Sequence, residues 1–393
     1  MERVRHYGDP AEEYDAAVTR VAMTDRSFRL RLRVDGRAAA QMLGGIVSGS
    51  IPPGPEPVDL KVARGRRSYS AILTVKGRMV SDLTILSLDV TDDSGSVPAS
   101  RGPMTMPFGD TPSSRLLLDI PAEGADAVRA HLKRYLPPRL ATVEDVTEET
   151  GMITVMGPDA AALLAREAMG LRVATEVLVN SSEDEYHVLD LEAESSLHVI
   201  RTGEVGVPAF DLIGNRTAID DLWERLREVG STPIGHGVWE TLRVEAGRPA
   251  FGADMDDKTI PIEAGIEDRA IDHQKGCYTG QEIIVRIRDR GHVNRHLRGL
   301  RLGEAPTPAS GTELFGDPSR PDRPVGNIRT AVQSPRWGET LALAYVRREI
   351  EPGDVVRVGG IDGSQAVVTD LAAAGGPWSQ VAEPKDSVPH PRD

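Results

Sequence analysis

The one cysteine of this 393-residue chain lies in the stretch KGCYTGQE, residues 275 to 282. Thr279 and Glu282 have the spacing of a capping box, which predicts a helix that starts at Gly280. Cys277 would then lie just before the positive end of that helix, with Lys275 two residues away, and both charges favour the thiolate. A thiolate is a nucleophile and a soft metal ligand, so Cys277 and Lys275 are candidate catalytic residues.

Two alternatives remain open for this stretch. A lone cysteine is often a small buried hydrophobic residue. The following residues, IIVRIR, alternate as in a strand with Val285 and Ile287 facing inward, although the capping signal favours the helix. The motif residues under consideration are Lys275, Gly276, Cys277, Tyr278, Gly280, Gln281 and Glu282.

An arginine-rich run, VRIRDRGHVNRHLRGLR, follows directly. Arginine forks bind carboxylates and phosphates in bidentate geometry, so Arg286, Arg290 and Arg295 are candidates for an anion-binding patch. The alternative is a solvated helix face followed by an edge strand.

Composition limits the classes of function. Lysine and arginine number 46 against 60 acidic residues, and the net charge of −14 argues against direct nucleic-acid binding or an anionic membrane surface. No apolar run approaches the roughly 18 residues that a membrane helix needs, and the N-terminus lacks a signal-peptide pattern, which predicts a cytoplasmic protein. One cysteine cannot supply the several thiolates of a zinc or iron–sulfur centre, so no resident metal site is predicted.

Two segments resemble each other and predict a duplication. RVDGRAAAQML from Arg33 and TVMGPDAAALL from Thr154 share a strand, a glycine turn and a short helix, although chance similarity is the alternative. The segment RSYSAILTVKGRMVSDLTILSL predicts a hairpin, and residues 218 to 229 predict an amphipathic helix. After His296, short alternating segments predict an antiparallel barrel. Residues 89–114 are predicted to be a mobile insertion and 373–393 a disordered tail.

Three stretches together resemble the YgfZ family of folate-binding proteins, relatives of the aminomethyltransferase T-protein of the glycine cleavage system. They are VWETLRVEAGRPAFGADMDDKTIPIEAGI, KGCYTGQE and RGHVNRHLRGL. The similarity runs from about residue 10 to 370, and KGCYTGQE is its most specific part. The resemblance implies an α+β fold: two related ferredoxin-like α/β modules and a C-terminal antiparallel β-barrel, arranged as a cloverleaf around a central tetrahydrofolate channel.

The resemblance also implies a domain organisation. Residues 1–140 would form the first module and 141–290 the second, which carries KGCYTGQE, and the two can interdigitate. The barrel would occupy residues 291–372.

The T-protein pattern can be carried over residue by residue. It matches Tyr69 and Asp82 within the predicted hairpin, and Arg243 and Glu245 in LRVEAG, all of which would line the folate channel. Trp239 is a further candidate, with a core aromatic as its main alternative. An ordinary buried ion pair is the alternative for the charged residues.

Two positions depart from that pattern. Ser81 replaces a second carboxylate beside Asp82, and Val207 stands where the T-protein has a folate-contacting glutamate. Loss of such a partner weakens binding by roughly 1.5 to 3 kcal/mol.

The resemblance implies two functions. The first is an accessory protein for iron–sulfur cluster assembly or repair, which uses tetrahydrofolate and the Cys277 thiol, has iron–sulfur assembly or client proteins as partners, and affects tRNA modification indirectly. The alternative is a folate-dependent aminomethyltransferase like the T-protein, in which Asp82 is the catalytic carboxylate. The residues alone do not establish whether the chain is an enzyme.

Overall fold

The computed structural model describes residues 3–58, 62–89, 114–166, 169–171, 173–191, 195–316, 320, 322–371 and 378. The predicted mobile insertion, apart from Asp89 and Ser114, and the predicted tail, apart from Trp378, lie outside the described residues. In the described part of the chain, no helix has the length and apolar character needed to cross a membrane.

The described helices are mostly short. In chain order they are α1 Pro10–Thr19, α2 Ala39–Gly44, α3 Ala125–Tyr135, α4 Ala160–Leu164, α5 Thr175–Val179, α6 Arg216–Glu228, α7 His236–Glu245, α8 Glu267–Ala270 and α9 Gln281–Arg290.

The strands supply most of the architecture. In chain order they are β1 Ala22–Asp25, β2 Leu30–Gly36, β3 Glu56–Pro57, β4 Val62–Arg66, β5 Ser68–Leu73, β6 Met79–Ser87, β7 Ser114–Ile120, β8 Thr142–Asp145, β9 Thr150–Met156, β10 Glu185–Leu191, β11 Ser195–Thr202, β12 Ala209–Asn215, β13 Thr232–Pro233, β14 Arg295–Arg301, β15 Glu313–Phe315, β16 Gly326–Ser334, β17 Glu339–Arg347, β18 Val355–Val358 and β19 Ser364–Thr369.

The chain divides into two compact units. The first contains Met1–Gly203, Val207–Val238 and Asp268–Ile283, and the second contains Glu204–Gly206, Trp239–Glu267 and Ile284–Asp393. The predicted module 1–140 lies in the first unit, whereas the predicted module 141–290 is divided between the two units. The boundary between the modules at residue 140 remains a prediction.

The first unit contains the predicted duplication. Its five-stranded sheet has the order β5-β6-β7-β2-β8, and its eight-stranded sheet contains the corresponding series β10-β11-β12-β9-β1. In both series a strand, a glycine with positive φ and a short helix follow one another, at Gly36 and Gly157. Each of the two series has five strands, one more than the four of the ferredoxin-like arrangement that we expected.

One strand is exchanged between the two series. β1 precedes β2 in the chain but pairs antiparallel with β9 of the other sheet, and β8 precedes β9 but pairs antiparallel with β2. The exchange explains the fifth strand of each series. β1 completes the series that contains β9, and β8 completes the series that contains β2. The exchange agrees with the interdigitation that the resemblance implies for the two modules, which remains a prediction.

Arg31 forms hydrogen bonds with the two chain segments at which the strands are exchanged. Its side chain is 0% exposed, and it donates from Nε to Thr150 Oγ1 at 2.7 Å and from Nη2 to the Ser27 carbonyl at 2.9 Å. Nη2 also donates to the carbonyl oxygens of Thr147 and Thr150. Burial lowers the pKa of Arg31, so these acceptors stabilise a charge that would otherwise be costly inside the fold.

The segment from Asp268 to Ile283, which contains KGCYTGQE, packs on the strands of the predicted first module. Ser48 Oγ donates to the carbonyl of Ala270 at 2.7 Å and accepts the amide of Ala71 on β5 at 3.0 Å. The helix predicted at Gly280 is confirmed as α9, which excludes the strand alternative.

The capping box predicted for this helix is wrong. The amide of Thr279 donates to the Gly45 carbonyl at 3.1 Å, so it is not available to Glu282. The residue that directly precedes the helix is Gly280, which has a φ of +86°. Tertiary packing of the turn thus replaces the local cap.

The second unit contains the predicted barrel, which is closed in the order β14-β17-β16-β15-β18-β19. Trp378 corrects the predicted disorder of the tail, because it is 3% exposed and packs with Val244, Leu297 and Tyr345. Gly299 leaves space for its ring, since a Cβ there would lie 2.8 Å from the indole. A single aromatic side chain thus fixes this point of the tail.

We expect Trp378→Ala to lower the free energy of unfolding by about 3 to 5 kcal/mol, because a large buried ring leaves a cavity. Urea unfolding followed by circular dichroism measures it. Trp337→Ala is the matched control, since Trp337 is 37% exposed. A loss below about 1 kcal/mol for Trp378→Ala would show that the ring does not stabilise the unit.

We expect Gly280→Ala to destabilise the chain by at least about 2 kcal/mol, because it forces a side chain into a left-handed conformation. The added Cβ would also lie 2.6 Å from the Thr74 carbonyl oxygen. Gly276→Ala is the control and should change the free energy by less than about 0.5 kcal/mol, since no atom lies within 4 Å of its Cβ position. Equal stability of the two variants in urea titrations would refute the packing described for the turn.

Candidate functional site

Tyr69 and Asp82 meet on neighbouring strands of the five-stranded sheet. Ala71 pairs with Asp82 in the register of β5 and β6, which places Tyr69 on the diagonal, within reach of the carboxylate. The Tyr69 hydroxyl donates to Asp82 Oδ2 at 2.7 Å. Asp82 is 7% exposed and Tyr69 is half-buried, so the pair joins a buried carboxylate to a partly accessible aromatic ring.

A guanidinium covers one face of that ring. The Cζ atom of Arg269 lies 4.6 Å from the centroid of Tyr69, a cation–π distance. Arg269 lies on α8, a few residues before KGCYTGQE. The candidate carboxylate and the cysteine-bearing segment are therefore in contact through this residue.

Buried ion pairs flank Asp82 in the same unit. Arg29 Nε donates to both oxygens of Asp119, at 2.9 and 2.8 Å. Burial alone would raise the pKa of Asp119, but the charge and hydrogen bonds of Arg29 outweigh it, so the pKa lies below its ordinary value. Asp82 also contributes to the field at Arg29, whose pKa is raised. Arg29 is thus a buried positive charge that is paired with Asp119 and also interacts electrostatically with Asp82.

A second pair has the opposite balance. Asp211 Oδ1 accepts from Thr154 Oγ1 at 2.5 Å and lies 3.3 Å from Arg26 Nη1. Burial raises the pKa of Asp211, and Arg26 offsets this only in part. The first unit therefore contains buried carboxylates whose protonation equilibria are shifted in opposite directions.

Cys277 is exposed, which contradicts the alternative of a buried hydrophobic residue. Gly276 beside it is exposed too, whereas Tyr278 is buried. The ammonium of Lys275 donates to backbone carbonyl oxygens of the loop that follows α2. Lys275 and Cys277 are therefore close in sequence, but the lysine ammonium is enclosed by carbonyl oxygens whereas the thiol is exposed. Their catalytic roles, like that of Asp82, remain predictions.

The second unit contains the other residues predicted to bind folate. Arg243 is 2% exposed, and its guanidinium donates to Glu240, to Asp254 Oδ2 at 2.7 Å and to the Arg248 carbonyl at 2.6 Å. Its pKa is raised because the two carboxylates outweigh the effect of burial. This geometry matches the buried ion pair that the sequence left open.

Glu245 and Trp239 are also buried in the second unit. Glu245 Oε1 accepts from Ser334 Oγ at 2.5 Å, and Trp239 is 7% exposed. Since Tyr69 and Asp82 belong to the first unit, a common folate channel for the four polar residues remains a prediction.

The predicted anion patch has mixed surroundings. Arg286 and Arg290 are exposed on α9. Arg295 is engaged instead, because Nη2 donates to Glu263 Oε2 at 3.0 Å and its guanidinium lies 4.2 Å from the ring centroid of Tyr345. Two of the three arginines thus present their charge to solvent.

Sequence reasoning missed the charges that surround Asp82. Asp119 and Asp211 each interrupt an apolar strand, in RLLLDI and PAFDL, and a carboxylate at such a position signals a buried partner. Nothing in the sequence identified Arg29 or Arg26 as those partners. Among the described residues, no group of three or more His, Cys, Asp or Glu side chains is arranged to hold a metal ion.

Comparison with known proteins gives consistent matches. Residues 111–275 match the GCVT N-terminal domain. An aminomethyltransferase of Prochlorococcus marinus (strain MIT 9303) is 27% identical over 349 residues, covering 88% of this chain and 83% of that protein. An aminomethyltransferase of Synechococcus sp. (strain WH7803) is 29% identical over 336 residues, covering 85% and 81%.

The fold has a counterpart among solved structures. The crystal structure of glycine cleavage system aminomethyltransferase T from Bartonella henselae superposes with a TM-score of 0.73 at 18% identity and covers 93% of this chain and 90% of that one. At this identity the match concerns the fold alone. The chain is thus similar to the GCVT N-terminal domain over residues 111–275 and has an aminomethyltransferase-like mixed α/β fold, while the YgfZ branch that KGCYTGQE resembles is not distinguished.

Proposed function

We propose that this chain binds tetrahydrofolate and acts as a folate-dependent one-carbon transferase of the aminomethyltransferase type. The observation that carries the proposal is the Tyr69–Asp82 pair, a buried carboxylate held by a 2.7 Å hydrogen bond beside a half-buried aromatic ring. The relatives are named aminomethyltransferases, which agrees with this activity. Each match covers more than four fifths of the relative's length.

The residues present fit a folate by the chemistry of their side chains. A carboxylate such as Asp82 accepts hydrogen bonds from ring N–H groups, and Tyr69 offers an aromatic ring. Arg269 supplies a cation suited to the carboxylates of a folate tail. The fit is incomplete at Val207, which is half-buried and has no charge.

Asp82 has the central role in this proposal. Tetrahydrofolate, when bound, would supply the amine nitrogen that takes up the one-carbon unit. Asp82 would orient that amine and accept its proton, as a general base. Tyr69 fixes the carboxylate by donating to Oδ2.

Ser81 does not replace the missing second carboxylate. Its side chain is 0% exposed, and Oγ donates to the main-chain oxygen of Asp82 at 2.8 Å. Asp82 would therefore act without the second acid of the T-protein pattern. Among the residues of the second unit, Glu245 and Trp239 remain proposed folate contacts, whereas we assign Arg243 to positioning α7.

We expect Asp82→Asn to weaken tetrahydrofolate binding about tenfold or more, because an ionised acceptor is lost. Val207→Glu should strengthen binding by a similar factor, since it restores the carboxylate of the pattern. Isothermal titration calorimetry measures both, with exposed Asp126→Asn as the matched control. Unchanged affinity in a folded Asp82→Asn protein would refute the site.

A second candidate function is the maintenance of iron–sulfur clusters through Cys277, with client or assembly proteins as partners and an indirect effect on tRNA modification. The exposure of this thiol on an anchored turn favours it, because a single soft ligand can hold iron while a partner provides the other ligands.

The two functions respond differently to Cys277→Ser. We expect this variant to keep its tetrahydrofolate affinity and any glycine-cleavage activity with a lipoyl carrier. It should fail to complement a strain that is defective in iron–sulfur enzymes. Full complementation by the serine variant would exclude the thiol function.

A further inference from the structure

The ammonium of Lys275 lies in a cage of main-chain carbonyl oxygens. Nζ donates to the oxygens of Gly44 at 2.8 Å, Val47 at 2.7 Å and Gly49 at 2.7 Å, all at the end of α2 or in the loop that follows it. An ammonium has three N–H donors. Each donor therefore has an acceptor within this loop.

The surroundings of Lys275 make its charge costly. Burial lowers its pKa to about 8, with Asp272 as the opposing negative charge. The loop from Gly44 to Ser50 contains no ionisable side chain, and the ring centroid of Tyr278 lies 5.5 Å from Nζ. The three carbonyl oxygens offset this cost, so the ammonium joins its turn to the loop after α2.

The turn that carries the thiol is tied at both ends. The amide of Asp272 donates to the Ser48 carbonyl at 3.1 Å, and the amide of Thr279 donates to the Gly45 carbonyl at 3.1 Å. Between these two bonds the chain reaches outward to the exposed Cys277. The Lys275 ammonium is a third tie, two residues from the sulfur.

We propose that Lys275 is a positioning residue, whose ammonium clamps the Cys277 turn onto the loop after α2 and thereby fixes where the thiol is presented. Its three donors are taken by carbonyl oxygens, so the role that we propose for it is to hold the turn and not to exchange a proton with the thiol. Its importance for activity rests on the proposed thiol function. The clamp can be tested without any assay of that function.

The first test uses the single thiol as a reporter. Cys277 is alkylated with a trifluoromethyl reagent, so that it no longer titrates, and the ¹⁹F resonance is followed from pH 7 to 10. Above its pKa the lysine loses one N–H donor and turns a lone pair toward a carbonyl oxygen. We therefore expect a shift in the resonance with a midpoint near pH 8 in the otherwise unaltered chain.

Variants assign that transition to the clamp. Lys275→Met should abolish it, and Lys275→Arg should too, because a guanidinium stays charged over this range. Lys133→Met, an exposed lysine on α3, should keep it. A titration that persists in folded Lys275→Met would overturn the proposal.

The second test measures the mobility of the turn. In Lys275→Met, the amides of Asp272 and Thr279 should exchange with deuterium at least tenfold faster, while β6 exchanges as before. Rates within twofold of the unaltered chain at both amides would contradict the clamp. Failure of either test leaves the proposed folate site unaffected, because Asp82 plays no part in them.

Discussion

The exchange of β1 and β8 between the two duplicated series is the constraint on which the first unit depends. β1 leads into β2 of the five-stranded sheet but pairs with β9 of the eight-stranded sheet. β8 leads into β9 but pairs with β2, so each sheet contains a strand whose chain continues into the other sheet. Arg31 donates to Ser27, between β1 and β2, and to Thr150, at the start of β9. A buried charge thus links the two connections at which the strands are exchanged. The side chains between the two sheets, Leu86, Leu117, Met152 and Ile213 among them, form one apolar cluster.

The loop after α2 connects this framework to both candidate sites. Ser48 holds β5 through Ala71, near the Tyr69–Asp82 pair, and holds the end of α8 through Ala270. The same loop supplies the carbonyl oxygens that receive Lys275. Because this loop bears no ionisable side chain, it positions charged groups of other segments without adding a charge of its own. One piece of main chain thus contacts both the strand that carries Tyr69 and the turn that carries the exposed thiol.

The sequence predicted what depends on local patterns. Alternation identified the barrel strands, helical spacing identified α6, and the paired strand–glycine–helix segments identified the duplication. The strand exchange was not predictable in detail, because β1 and β8 have four residues each and their partners lie more than a hundred positions away. The partners of Lys275 are main-chain oxygens, which no residue type reveals. Trp378 stands alone in a polar segment, so no periodicity marked it as buried.

The central proposal is a folate site in the first unit, at Tyr69 and Asp82 and in contact with the segment that carries KGCYTGQE. Hydrogen–deuterium exchange of the full chain with and without saturating tetrahydrofolate tests this most directly. If folate binds there, the backbone amides of β5, β6 and residues 268–280 should exchange more slowly when the folate is present. Protection confined to other segments, or no change in these three, would contradict it.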